Sequence, residues 1–324
     1  LSFDEWLSGE PGKKKVLINL YDEIVKDLMP VKDAAPGKNL DLSIDLRLQY
    51  LAYQELKSAI LHYGAASGSV VILDVPTGQV LAMVNQPSYN PNNRLNLDLA
   101  TVRNRAATDE FEPGSTVKPF TVAVALQSGY GAESEIDTDP GFVRVGNFTI
   151  RDPSNRGMLN LSQIIAKSSQ VGISKLALTL NEYDVWALFQ DVGFGRSTGF
   201  GFPGERAGYL PNHRRWTDIE RATFAYGYGL TVTPLQLASA YLAIASGGIR
   251  RDVTLLKNVE VNETRVLTKE VAHSIGLMLR AVVTDGTGGK AAIPAYQVAG
   301  KTGTVRKIGE GDMKTRNIWR SLLV

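Results

Sequence analysis

The chain has 324 residues, 44% hydrophobic and 21% charged, with 35 Lys+Arg against 33 Asp+Glu for a net charge of +2. This is a soluble globular composition with room for one large domain or two ordinary ones, and the basic excess is too mild to argue for nucleic acid as a partner. With no cysteine, disulfides, thiolate metal sites and a cysteine nucleophile are excluded; the scattered His62, His213 and His273 give a zinc site little support, and no metal or cofactor is expected.

Residues 1 to about 40 are mixed. A polar turn at Gly9–Gly12 and the basic Lys13–Lys15 precede a short strand candidate at Val16–Leu20, and Ala34–Lys38 reads as a linker. Asp41–Asp45 supplies cap chemistry for an amphipathic helix in which Leu48, Leu51, Ala52, Leu56, Ala59 and Ile60 recur at helical spacing up to Gly64. Ser69–Val75, the turn Pro76-Thr77-Gly78 and Gln79–Val84 form the clearest strand-turn-strand signal, expected as a hairpin of the central sheet. Gln86–Asn93 is a Pro/Asn-rich loop leading to Arg103–Asp109.

Glu112-Pro-Gly-Ser-Thr-Val-Lys-Pro119 then opens an apolar run, Phe120–Leu126. Proline is tolerated only in a helix's first turn, so Pro119 predicts a helix start at or near Ser115. Lys118, three residues on, then lies on the same face with its amine in reach of the Ser115 hydroxyl. A neutral amine can take a serine's proton, provided that burial or another cation lowers its pKa. Taken alone, the tetrapeptide also fits a capping serine beside a solvated lysine.

Asp137–Arg156 is polar with short strand-like pieces. Leu161–Gln170 leads into Val171–Leu178 with helical spacing broken by the polar knot Lys167–Gln170, whose hydroxyls either cap a helix or line a cleft. Residues 193–212, rich in Gly and Pro, read as a long loop. Helices are expected around Leu235–Ala245 and Lys269–Val283, a turn at Gly286–Gly289, and a final strand at Tyr296–Val305. In that strand Gly300 and Gly303 let another backbone approach, and Lys301-Thr302-Gly303-Thr304 offers an amine and hydroxyls to an anionic group on a peptide laid along the edge. No stretch is long and apolar enough to cross a bilayer, the longest, such as Leu237–Ala245, falling well short of the ~20 residues required.

Ser-x-x-Lys at 115–118, Ser-x-amide at Ser168–Gln170 and Lys-Thr-Gly at 301–303 follow one another in the order found in penicillin-binding proteins and class A β-lactamases. With Phe3–Leu7, Gln86–Asn92, Arg103–Arg105, Phe111–Pro119, Phe202–Gly208, Arg215–Glu220 and Tyr226–Pro234, nearly the whole chain resembles a division-specific class B penicillin-binding protein, the septal peptidoglycan transpeptidase of Gram-negative bacteria. The resemblance implies an α/β transpeptidase fold, an antiparallel sheet flanked by helices plus a helical subdomain. It divides the chain into the end of a pedestal-type module and linker at 1–40 and a transpeptidase domain at 41–324.

It also implies roles. Ser115 attacks the carbonyl between the two terminal D-alanines of a stem peptide, Lys118 accepts its proton, and Ser168 relays a proton to the leaving amine. Backbone N–H groups of Ser115 and Thr304 form an oxyanion hole. Lys301, Thr302 and Thr304, on a strand thinned at Gly303, hold the substrate carboxylate; Gln170 stands where the pattern has asparagine, one methylene shorter. β-Lactam antibiotics acylate Ser115. Implied partners are a membrane glycosyltransferase and division proteins, at the periplasmic face of the inner membrane, through an N-terminal anchor expected in a part absent from this chain, which opens on Leu1. The pattern continues beyond Val324 through two more strands and a closing helix, the strands lying between the hairpin at 69–84 and the strand at 296–305. The chain is therefore expected to be C-terminally incomplete, with a gap in its sheet. Two other readings are a serine β-lactamase, for which no Glu-x-x-x-Asn pair occurs between Ser168 and Lys301, and a scaffold that binds without turnover.

Overall fold

The computed structural model describes residues 2–93, 95, 97–212, 214, 216–307 and 316–323, with the backbone alone described at 306, 307 and 316–323. A short helix α1 (Asp4–Ser8) precedes an antiparallel hairpin of β1 (Lys13–Ile18) and β2 (Ile24–Lys32). The sequence places a strand only at Val16–Leu20; β2 follows no alternating pattern because none of its residues is buried. α2 (Leu46–Tyr63) appears as expected. The Asp45 carboxylate accepts from the Arg47 and Leu48 N–H groups, and Gly64, with a φ of 59°, closes the helix.

β3 (Gly68–Leu73) and β4 (Val80–Gln86) form the expected hairpin. In β4 every second residue, Val80, Ala82, Val84 and Gln86, is buried, which is the strand period showing directly. The Gln49 amide of α2 completes the ladder from the side, donating to the Met83 carbonyl (2.9 Å) and accepting from its N–H (2.8 Å). Two short helices, α3 (Leu99–Val102) and α4 (Arg105–Thr108), carry the chain to a 3-10 turn, Gly114–Val117, and to α5 (Lys118–Gln127).

α5 is the axis of the core. From Lys118 to Ala125 every residue is buried. Phe120 meets Phe194, Phe189 and Tyr241 edge-on, with ring centroids 5.7, 6.2 and 5.5 Å away. Short strands β5 (Glu135–Asp137), β6 (Phe142–Val145), β7 (Phe148–Arg151) and β8 (Met158–Asn160) lead to α6 (Leu161–Ala166) and α7 (Gln170–Thr179), the helical stretch with its polar interruption. α8 (Glu182–Asp191) and α9 (Asp218–Phe224) are additions to the sequence reading. Asn181 caps the first, and a Thr217/Glu220 capping box opens the second, signals that buried faces of three and two residues were too short to reinforce. α10 (Pro234–Ala245), β9 (Ile249–Arg251), β10 (Glu263–Arg265) and α11 (Lys269–Thr284) complete the body.

β11 spans Lys301–Lys307 and pairs antiparallel with β12 (Arg316–Leu323). The expected strand at Tyr296–Val305 therefore begins five residues late. The Gly300 N–H is spent on the Leu279 carbonyl of α11, which leaves no ladder bond for it to make. A strand pairing with the Lys-Thr-Gly strand is present, which the sequence reading did not place. Among the described residues β3–β4 and β11–β12 are separate two-stranded ladders, so the hairpin at 69–84 is not seen within one central sheet.

Candidate active site

The 3-10 turn is held from all sides. Gly114 has a φ of 55° and lies so close to β11 that a Cβ there would sit 2.6 Å from Val305 Cγ2, so glycine is required twice over. Its N–H donates to the Gly227 carbonyl (3.1 Å), and a Cβ on Gly227 would in turn meet the Gly114 carbonyl oxygen at 2.2 Å. The Thr116 hydroxyl donates to the Pro113 carbonyl (2.7 Å), and the Tyr241 hydroxyl donates to the Thr116 carbonyl (2.6 Å). Burial raises the Tyr241 pKa well above the ordinary phenol value, which keeps it a donor. Ser115 thus stands on a fixed 3-10 turn, and the α-helix expected to start at or near it begins three residues later at Lys118; Ser115 is half-buried, and among the described residues its hydroxyl has no hydrogen-bond partner.

Lys118, the first residue of α5, is 0% exposed. Its amine does not pair with Ser115. It donates instead to the Ser168 carbonyl (2.7 Å) and the Ser169 carbonyl (3.1 Å) and lies 3.3 Å from the Ser168 hydroxyl. Burial pushes its pKa well below the ordinary lysine value; the positive charge of Lys301 pushes the same way, Asp152 opposes, and Arg156 again lowers it. A neutral amine has two N–H donors and one lone pair. The two carbonyls take the donors, which leaves the lone pair to a hydroxyl.

Ser168 sits in the break between α6 and α7 with a φ of 56°, a conformation costing of order 1–3 kcal/mol in a non-glycine residue. The break turns its hydroxyl between two lysines: Lys301, also 0% exposed, donates to it at 3.0 Å and to the Thr302 carbonyl at 2.9 Å. Burial lowers the Lys301 pKa to about 8. The strand alternation puts Lys301, Gly303 and Val305 inward and Thr302 and Thr304 outward, so the amine reaches Ser168 from beneath while the two hydroxyls lie on the solvent side. Thr302 shares a hydroxyl–hydroxyl bond of 2.7 Å with Thr287. The Gln170 side chain, half-buried, makes no hydrogen bond among the described residues.

The structure therefore brings the Ser115 turn, Lys118, Ser168 and Lys301 together, with Gln170 and the Thr302–Thr304 edge at the rim. The sequence reading missed Asp152. Its carboxylate accepts from the Ser169 hydroxyl (2.5 Å) and from the Gln170 and Val171 N–H groups (2.6 and 3.2 Å), holding the first turn of α7 that frames Ser168. An aspartate 17 positions before the serine it binds carries no local signal. Thr287 and Tyr241 were missed for the same reason, each acting across more than a dozen residues.

Residues 68–321 match the family described as penicillin binding protein transpeptidase domain. The chain is 45% identical over 311 residues to the peptidoglycan D,D-transpeptidase FtsI of Escherichia coli (strain K12), covering 95% of this chain and 52% of that protein. It is 41% identical over 327 residues to the probable peptidoglycan D,D-transpeptidase PbpC of Pseudomonas aeruginosa, covering 58% of it. The chain thus spans about half the length of the curated relatives it matches. Among solved structures it is similar to the apo TP domain of Burkholderia pseudomallei penicillin-binding protein 3, with a TM-score of 0.77, 38% identity and coverage of 86% of this chain and 81% of that one.

Proposed function

Since the chain belongs to the penicillin-binding protein transpeptidase family, we propose that it carries a serine D,D-transpeptidase site that cross-links peptidoglycan stem peptides in septal wall synthesis. The observation that supports this most is the buried Lys118 amine, biased toward its neutral form, tied through Ser168 to Lys301 beside a rigid turn that presents Ser115.

In this reading Ser115 Oγ adds to the carbonyl carbon of the penultimate D-alanine as its proton passes to Lys118 Nζ. The Ser115 N–H, which finds no carbonyl among the described residues, and the Thr304 N–H receive the oxyanion. Collapse breaks the peptide C–N bond, and the leaving amine takes a proton through Ser168. A second stem peptide's amine then attacks the ester, and Ser115 recovers its proton. Lys301, Thr302 and Thr304 hold the donor's terminal carboxylate, with Gly303 leaving room for its backbone and Gln170 bonding the peptide amide. β-Lactams enter the same path and stop at the ester.

Residues 1–40 then form the end of a pedestal-type module, and 41–324 the transpeptidase domain. The setting is the periplasmic face of the inner membrane, with a membrane glycosyltransferase and division proteins as partners; no described helix is long and apolar enough to cross a membrane. A fluorescent penicillin should label the chain covalently, and Ser115→Ala should abolish the label. Labelling that survives the substitution defeats the assignment, and fast steady-state hydrolysis of nitrocefin would make the site a β-lactamase instead.

A further inference from the structure

A 3-10 turn pairs each carbonyl with the N–H three residues on. In the turn that carries Ser115, the Pro113 carbonyl accepts from the Thr116 N–H (3.4 Å) and the Ser115 carbonyl accepts from the Lys118 N–H. The Thr116 carbonyl comes next, and the residue three on is Pro119, which has no N–H to give. Thr116 is 0% exposed, so solvent does not supply the missing donor. A buried carbonyl left in that state would draw the N–H four residues on, that of Phe120, by winding the turn into the α-helix that follows.

Tyr241, on α10, supplies the donor from 125 positions away: its hydroxyl donates to the Thr116 carbonyl at 2.6 Å. Its ring is set edge-on against Phe120 (5.5 Å), and the next residue of α5, Thr121, donates its hydroxyl to the Ala225 carbonyl (2.9 Å). The donor is thus held by parts of the core outside the turn. Which winding the turn adopts matters at Ser115. A 3-10 turn advances about 2.0 Å and about 120° per residue, an α-helix about 1.5 Å and about 100°. Rewinding from Lys118 back to Ser115 would carry the serine roughly 1.5 Å along the axis and round it as well. A misplacement of about 1 Å can slow a reaction about 10²-fold.

We propose that Tyr241 is a positioning residue for acylation: its hydroxyl stands in for the donor that Pro119 lacks and keeps the turn in the 3-10 winding that aims Ser115 at the substrate carbonyl. Proline and tyrosine act as a pair. Pro119 leaves the Thr116 carbonyl open, and Tyr241 closes it from across the core without rewinding the turn. The assignment rests on the reading of Ser115 as the acylated nucleophile.

Tyr241→Phe keeps the ring and removes only the donor. Acylation of the full chain by a fluorescent penicillin is resolved into the dissociation constant of the first complex and the rate constant of the acylation step. In the variant the rate constant should fall about tenfold, within the range for a misplaced reacting group, while the dissociation constant stays within about twofold. Pro119→Ala returns an N–H to the turn. Alone it should leave the rate constant within about threefold, because the Thr116 carbonyl already has a partner; combined with Tyr241→Phe it should recover most of the tenfold loss. An unchanged rate constant in Tyr241→Phe, a loss confined to the dissociation constant, or a loss that Pro119→Ala does not relieve overturns the proposal. If Tyr241→Phe alone does not fold, a double variant that folds and labels supports the same pairing. Failure of both to fold, with Pro119→Ala alone folded, overturns it. Absence of labelling of the unaltered chain would overturn the reading of Ser115 itself, a result distinct from any of these.

Discussion

From Thr116 to Ala125 every residue is buried, whereas from Lys13 to Lys32 none is. Both stretches contain β-branched residues and lysine. In the first, a lysine faces two carbonyls and a serine, and burial pushes its pKa well below the ordinary lysine value; in the second, Lys14 faces Asp27 at 2.8 Å in the open, with about half or more of each side chain exposed. The same residue type is a candidate base in one place and a solvated cation in the other. Burial makes the difference: water screens the exposed pair to about 0–1 kcal/mol, while the buried amine must find partners or shed its proton.

The sharpest way to break this contrast is Lys118→Met, which keeps the volume and removes the amine. We expect labelling of Ser115 by a fluorescent penicillin to slow about 10³-fold, within the range of a general base. The variant also leaves the Ser168 and Ser169 carbonyls without donors, costing about 1–3 kcal/mol, measurable as a lower urea midpoint. If labelling persists at an unchanged rate, Lys118 is not the base.

Asp152→Asn is the next largest test, because it separates holding from charge. The amide can still accept from the Gln170 N–H, so a stability loss of about 1–2 kcal/mol is expected. The electrostatic effect has a definite sign. Asp152 favours the charged form of Lys118, so removing its charge lowers the Lys118 pKa further. With Lys118 as the proposed base, acylation needs the neutral amine and fails as pH falls through that pKa; the acid limb of the pH–rate profile should therefore move to lower pH in the variant. A shift to higher pH would show that the loop had moved and not merely lost a charge.

What could be read from sequence follows the same division. Ser115, Lys118, Ser168 and Lys301 stood out because proline, glycine and hydroxyl residues punctuate the chain within a few positions of each. The hairpin β3–β4 and helices α2, α10 and α11 were legible through period or turn chemistry acting over neighbours. Asp152, Thr287 and Tyr241 were not, because each contributes across the fold: 17 positions from Asp152 to Ser169, 15 from Thr287 to Thr302, 125 from Tyr241 to Thr116. β2 failed for the opposite reason. A strand with no buried face has no alternation to display.

The smallest expected effect belongs to that hairpin. Asp27→Ala removes the Lys14–Asp27 pair, in which the side chains are 56% and 64% exposed, so little desolvation is recovered and little attraction lost. Stability should change by less than about 0.5 kcal/mol, as is usual for surface positions that carry no cap, core contact or strained backbone. The labelling rate of Ser115 should stay within about twofold of the original, because none of the hydrogen bonds that hold the 3-10 turn, Ser168 or Lys301 involves residues 13–32 among those described. A change in urea midpoint several times larger, or a slowed acylation, would mean that the hairpin communicates with the cleft through contacts its exposure does not reveal. The physical distinction between the two regions would then need a different basis from burial.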